Sequence, residues 1–384
     1  MRHFLDIFQA CVEQPTHCES PRKLEEALVP EAWDPKRFHH VSVLQEAVRN
    51  HGRIEVAEDR KLNRLVAVKA MPLWWARSSH REFVAAHPKE NEYPWLDMAM
   101  TVYLRNVANI ASVCEFLGVF LRDTEARGPE ICFVLTYCAG GDLLSWLGQS
   151  LRTKSLDREA LSRPIVLETF KTVHRLHRLG IAHGDLSLEN VLLQGCSGEV
   201  RLIDFGASTG PRATGSRGKP SYQAPECHSR KEYDAMAADS FSLGVLLFTL
   251  VTGNYPWRST QGQACQCFHY FTRRGLTAYL AARTLDRGTG KALPLLNIMS
   301  GNVVSLLEGL LNPDPASRLT VAAALDHPWF LGNGSDKGCT RLLPPQQPVG
   351  CWHGILLSLW NHAMAAEKIG LWAAALGQFP TDGD

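Results

Sequence analysis

The run His183-Gly184-Asp185-Leu186-Ser187-Leu188-Glu189-Asn190 holds a carboxylate and a carboxamide five residues apart, and Asp204-Phe205-Gly206 sets a second carboxylate fourteen residues beyond Asn190. The first run follows a stretch of helical spacing and precedes the apolar Val191-Leu192-Leu193, so these groups fall on loops beside short strands. One acid can accept or orient the proton of a hydroxyl. The other, with the carboxamide, offers hard oxygen ligands to Mg²⁺. Such a set serves phosphoryl transfer, where the protein positions the reactants and neutralises charge.

Loop groups of this kind need a frame, and local patterning supplies one. Short β-branched or alternating stretches between 40 and 71 (VSVL, RIEVA, LVAVKAM) predict a small antiparallel sheet, followed by a helix from about Tyr93 to Val107. The apolar stretch at 131–137 reads as a strand that ends at Gly140-Gly141-Asp142, a turn and helix start that suits a boundary between two lobes. Beyond it, Leu161 to Leu179 has helical spacing, and Asp239 to Val251 is apolar on nearly every face, as a central buried helix would be. The pattern from 258 to 302 predicts no definite element. Pro344, Pro345 and Pro348 set off a final segment, 351–377, with an apolar helical face.

Composition bounds the rest. The 384 residues are 45% hydrophobic and 21% charged, which excludes a wholly disordered chain. Lys and Arg number 40 against 39 Asp and Glu, so bulk charge gives no reason to expect nucleic acid or an anionic membrane as partner, and any phosphate binding is local. The longest apolar run, Leu243 to Val251, is nine residues, short of the roughly 20 that cross a bilayer. Residues 1–14 read as an amphipathic helix packed on the domain, with no small-residue cleavage site after them. Eleven cysteines, with only Cys265 and Cys267 close together and no CxxC, suggest reduced structural thiols and a cytoplasmic or nuclear protein.

The ordered series Val66-Ala67-Val68-Lys69, HGDLSLEN, Ile203-Asp204-Phe205-Gly206 and Gln223-Ala224-Pro225-Glu226 resembles the signature set of the eukaryotic protein kinases. The resemblance covers about 290 residues, to the HPWF that ends near 330. It implies an α+β, bilobal fold with a β-rich N-lobe at about 40–138 and an α-helical C-lobe at about 139–330, flanked by extensions at 1–39 and 331–384. It further implies ATP and Mg²⁺ as cofactors and transfer of the γ-phosphate to Ser/Thr hydroxyls of a protein substrate.

Residue by residue, the resemblance makes Asp185 the catalytic base, Asn190 and Asp204 the metal ligands, and Lys69 the grip on the ATP phosphates. The acid that pairs with Lys69 is Asp97 by counting back from Asn109-Ile110, with Glu92 the alternative. Ile54 and Ala67 would enclose the adenine, Leu135 gate the back of its pocket, and Thr136 to Cys138 supply the hinge backbone. Asp142 matches an acid that contacts ribose or substrate; a helix cap is an equal reading of it. Asp239 matches a buried anchor of the catalytic loop, and Glu226 is expected to pair with Arg318.

The chain departs from the pattern in places. Its glycine-loop positions are Ala47, Arg49 and Gly52, so only the last keeps a glycine. Gly184 replaces an arginine that in many relatives answers a phosphorylated activation loop, although Thr209, Thr214, Ser216 and Ser221 remain as acceptors in that segment. Ser187 stands where Ser/Thr-directed members carry lysine, and Lys219 stands where they carry threonine. The two are expected to have exchanged roles, with Lys219 a catalytic cation; the alternative is an exposed loop lysine. Two other readings stay open. These are an inert scaffold, favoured by the departures, and a small-molecule phosphotransferase, disfavoured by Glu226 and Arg318.

Overall fold

A computed structural model describes residues 27–47, 51–150, 155–195, 198–262, 265–285 and 292–331. The helix expected at 1–14, Arg49 and the segment 351–377 lie outside them. In the first lobe the chain runs through β1 (Glu31–Ala32), β2 (Phe38–Ala47), β3 (Gly52–Asp59) and β4 (Arg64–Pro72). Two short helices follow, α1 (Leu73–Ala76) and α2 (His80–Ala86), then α3 (Pro94–Val102), β5 (Phe116–Thr124) and β6 (Gly128–Thr136). The six strands form one sheet in the order β1-β5-β6-β4-β3-β2, antiparallel except where β1 joins β5.

Register decides what each face of that sheet carries, because side chains alternate along a strand. Ile54 lies opposite Lys69, and Ala67 opposite Leu135, so these four share one face. On the same face Met71, Val119, Ile131 and Phe133 pack with Trp95 and Met98 of α3. The other face carries Val66, Val68, Ala70, Phe120 and Val134 beneath Phe38 and Trp33. It also carries a buried ion network in which Arg122 and Arg53 each bond both Glu55 and Glu130, with Arg122 Nη1 2.9 Å from Glu55 Oε2. Burial alone would raise both carboxyls, but the guanidiniums outweigh it and hold them below the usual range.

The expected helix at 93–107 starts at Pro94, and its last turn, Tyr103–Val107, is π-helical. Helices α1 and α2 are additions that the sequence reading omits, being too short at four and seven residues to show periodicity. Their signal is the capping pair around α2. Ser79 Oγ accepts from Glu82 N, and the Glu82 carboxylate accepts from Ser78 N.

The second lobe is largely helical: α4 (Leu143–Ser150), α5 (Ser155–Arg178), the hairpin β7 (Val191–Gln194) and β8 (Glu199–Leu202), the short pair β9 (Arg212–Ala213) and β10 (Tyr233–Asp234), then α6 (Ala235–Thr252), α7 (Gln266–Ala282), α8 (Gly301–Leu310), α9 (Val321–Leu325) and α10 (Pro328–Leu331). α5 starts six residues before the expected Leu161 and holds Pro164 within it, because its first turns are tied down by tertiary bonds. Arg158 Nη2 donates to Val251 O at 2.8 Å. Glu159 accepts from Ser300 N at 3.1 Å, from Ser300 Oγ, and from Trp329 Nε1 at 2.8 Å.

α6 is, among the described residues, the one helix long and apolar enough to cross a membrane, with mean hydropathy 1.6 over 18 residues, a longer span than the nine-residue run suggests. It is 78% buried inside the lobe, which accounts for its apolarity all round. α7 lies within the region that sequence leaves unassigned. Gly275, at φ 80° and ψ 170°, breaks the helix, so the buried sets Cys267, Phe268, Phe271 and Leu276, Tyr279, Leu280 follow two different phases.

Candidate active site

Lys69 projects from β4 toward α3, where Asp97 sits in the first turn after the Pro94 start. Lys69 Nζ donates to Asp97 Oδ2 at 2.8 Å and to Asp204 Oδ1 at 3.2 Å. The other Asp97 oxygen accepts from Phe205 N at 2.8 Å, so one carboxylate holds both the lysine and the Asp204-Phe205-Gly206 turn. Glu92 precedes the helix and packs against Gly206, while Tyr93 N donates to Gly206 O at 2.8 Å. Burial pulls the Lys69 ammonium down from its ordinary value; Asp204 and Asp97 outweigh it and hold the group above that value, charged. In return Lys69, with Lys219 behind it, holds the buried Asp204 carboxyl below its usual range.

Asp204 has φ +66°, a left-handed conformation that Asp tolerates better than most residues and that aims its carboxylate back at Lys69. Phe205 is fully buried and rests beside the His183 ring at 5.1 Å.

Asp185 and Asn190 lie on the loop between α5 and β7. That loop hangs from Asp239 of α6, whose carboxylate accepts from His183 N at 2.7 Å, Gly184 N at 3.0 Å and His177 Nε2 at 3.0 Å. Asn190 Nδ2 donates to Asp185 O at 2.7 Å and to Asp185 Oδ2 at 3.1 Å, which leaves the Asn190 carbonyl oxygen as its ligand-capable atom. Gly184 has φ +78°, and a Cβ there would fall 2.4 Å from Ala207 O, so no other residue fits without moving backbone. The Asp185 carboxyl is pushed above its usual value by burial; Lys219 opposes that shift and Asp204 adds to it.

The segment after Asp204-Phe205-Gly206 is ordered by its own groups. Thr209 pairs with Ala182 through two backbone bonds, β9 pairs with β10, and Tyr233 Oη donates to Gly215 O at 2.9 Å. Of the hydroxyls there, Thr209 is buried and Thr214 exposed. Lys219 N donates to Asp185 Oδ1 at 3.0 Å, and Lys219 Nζ donates to Ser187 Oγ at 2.9 Å, 3.6 Å from Asp185 Oδ2. Gln223 Nε2 closes the turn onto Gly218 O at 2.8 Å.

On the side where the resemblance places the adenine, Gly52 and Ile54 open β3, and Ala67 faces Leu135 across β4 and β6. Thr136 N bonds Glu115 O, and Cys138 is buried with its Sγ 3.6 Å from Cys114 Sγ. Asp142 Oδ1 accepts from Ser145 N at 2.7 Å, the bond of a helix cap. Glu226 and Arg318 form the expected pair, with Arg318 Nη2 2.9 Å from Glu226 Oε2. Tyr222 went unnoticed in the sequence. Its hydroxyl accepts from Leu188 N at 3.2 Å and donates to Tyr255 Oη at 3.3 Å, which braces the loop of Asp185 and Asn190 from the opposite side. Its position one residue before Gln223-Ala224-Pro225-Glu226 was the available signal.

Known proteins are similar to this chain over the stretch that holds these residues. The family model described as "Protein kinase domain" matches residues 51–330. Serine/threonine-protein kinase SAPK3 of rice is 31% identical over 246 residues, which cover 58% of this chain and 68% of the rice protein. CBL-interacting protein kinase 30, also of rice, is 30% identical over 217 residues, covering 55% of this chain and 40% of its own length. The hormonally up-regulated neu tumor-associated kinase of mouse is 31% identical over 211 residues, 53% of this chain and 26% of the mouse protein. The chain thus spans well under half the length of some of these relatives. A two-lobed fold, a strand lysine held by a helix acid, and a match that runs from β3 to α10 agree on one conclusion: this chain belongs to the protein kinase family.

Proposed function

We propose that this chain is an ATP-dependent protein kinase that transfers phosphate to Ser/Thr hydroxyls of protein substrates. The observation that carries the reading is the convergence of Lys69, Asp204, Asp185 and Asn190 where the two lobes meet, with the lysine held charged. Asp185 orients the acceptor hydroxyl and receives its proton, and Lys69 aligns the ATP phosphates for in-line transfer. The Ile54–Ala67–Leu135 face receives the adenine.

The donor set fits Mg²⁺: the Asn190 carbonyl and the Asp204 carboxylate are hard oxygens, few enough to leave room for phosphate oxygens. Held by those two residues, the ion supplies neutralisation of phosphate charge. The printed name of the rice relative, a serine/threonine-protein kinase, supports the choice of acceptor.

The test is Mg·ATP-dependent phosphate transfer to casein by the full chain, wild type against Asp185→Asn. Transfer that falls at least about 100-fold in the variant is expected, because general-base contributions run at roughly 10²–10⁴-fold. A folded wild type that transfers nothing favours the second reading, a scaffold, for which Ala47 and Gly184 are the supporting departures.

A further inference from the structure

Lys219 is held at three points around one carboxylate and one hydroxyl. Its backbone N–H donates to Asp185 Oδ1, its ammonium donates to Ser187 Oγ at 2.9 Å, and the same ammonium lies 3.6 Å from Asp185 Oδ2. Gly218 makes this approach possible. It has φ +71°, and a Cβ there would lie 2.6 Å from Asp185 Oδ1. Ser187 is fully buried, caps no helix with its side chain, and turns its hydroxyl to Lys219. The Lys219 side chain is 38% exposed, yet its ammonium is turned to Ser187 Oγ. Burial pulls the ammonium down from its ordinary value; Asp185, Glu189 and Asp204 outweigh that and keep it protonated.

A cation fixed beside Asp185 draws down the basicity of that carboxylate, which works against proton acceptance. The placement makes sense when the cation serves a third charge that arrives at the same spot. In phosphoryl transfer that charge is the group in flight, whose oxygens lie between the acceptor held by Asp185 and the phosphates held by Lys69.

We propose that Lys219 is a catalytic residue that neutralises the transferring phosphoryl group, with Ser187 as the positioning residue that aims its ammonium. The inference rests on the kinase reading above and adds that the cation is carried by the segment after Asp204-Phe205-Gly206, so the site is complete only when that segment is seated. In the step itself the acceptor oxygen forms its bond to phosphorus as the bond to the leaving ADP oxygen breaks. The acceptor proton passes to Asp185, and Lys219 stays protonated throughout.

The experiment measures kcat and KM for ATP with casein as acceptor, using full-chain wild type, Lys219→Met, Lys219→Arg, Lys219→Thr and the double variant Ser187→Lys with Lys219→Thr, each checked by thermal melting. Lys219→Met is expected to lower kcat about 100-fold with KM for ATP within about threefold, the size typical of losing one transition-state charge partner. The double variant moves the ammonium to the catalytic loop and should recover at least tenfold over Lys219→Thr, a rescue that a merely structural lysine would not show. Lys219→Met and Lys219→Arg both at the wild-type rate would overturn the inference alone. So would a folded double variant no faster than Lys219→Thr. A wild type that transfers nothing overturns both this inference and the kinase reading.

Discussion

Asp185 stands under opposed influences, and their balance sets how the site responds to acid. Burial and the Asp204 charge push its carboxyl up, while Lys219 pulls it back. In the proposed transfer the base acts ionised, so kcat is expected to fall as pH drops through this raised value, with the acid limb above the range of an exposed carboxylate, about 3.9. Neutralising Lys219 removes the opposing pull, and the limb of Lys219→Met moves to higher pH. A pH series of kcat checks both statements; a limb that stays put in the variant contradicts the coupling. Asp97 is a single carboxylate used on both oxygens, one for Lys69 and one for Phe205 N. Spacing alone left it open against Glu92, because the choice depends on where α3 begins. Pro94 fixes that start and leaves Glu92 outside the helix, against Gly206.

The elements that carry these residues are tied by a few deep polar anchors. Arg318, before α9, is fully buried: it bonds Glu226, donates to Ala237 O at 2.8 Å and to Asn312 O at 2.8 Å, and lies over the Phe241 ring. Arg318→Ala leaves the Glu226 carboxylate without its partner, a loss of about 3–5 kcal/mol that urea unfolding would register as a lower midpoint. A midpoint unchanged within error would show that the pair contributes nothing. This anchor was legible in the sequence, since Glu226 and Arg318 each sit in a recognisable run, as were the sheet, α5 and α6. α7 was not legible: Gly275 shifts its apolar face mid-way, and a search for one 3.6-residue phase finds neither half. The pairing of Ser187 with Lys219 was readable only as two departures from the family pattern; that the two atoms meet at 2.9 Å depends on how the segment folds back onto the loop.

Across the molecule, the face of the first lobe turned away from the site is sealed by an aromatic cover over charge. Trp33 follows β1, stacks on Phe38 at 4.5 Å and lies under the Arg122 guanidinium at 4.9 Å. The four charges beneath come from β3, β5 and β6, and nothing in linear spacing announces their meeting, which appears only once register is known. Trp33→Ala strips the ring from Arg122 and Phe38 and is expected to cost about 2–4 kcal/mol by denaturant titration, with the midpoint lowered. A loss below about 0.5 kcal/mol, the size of an ordinary surface change, would mean that the cover is dispensable.

Glu159 lies in the first turns of α5, yet its partners are Ser300 and Trp329, 141 and 170 residues further along the chain. During synthesis, at roughly 5–20 residues per second, that acid waits on the order of ten seconds or more after it emerges before the groups that satisfy it exist. This anchor of the helical lobe therefore cannot close in step with the ribosome. The bond between Glu159 and the Trp329 indole can form only after 170 further residues are made.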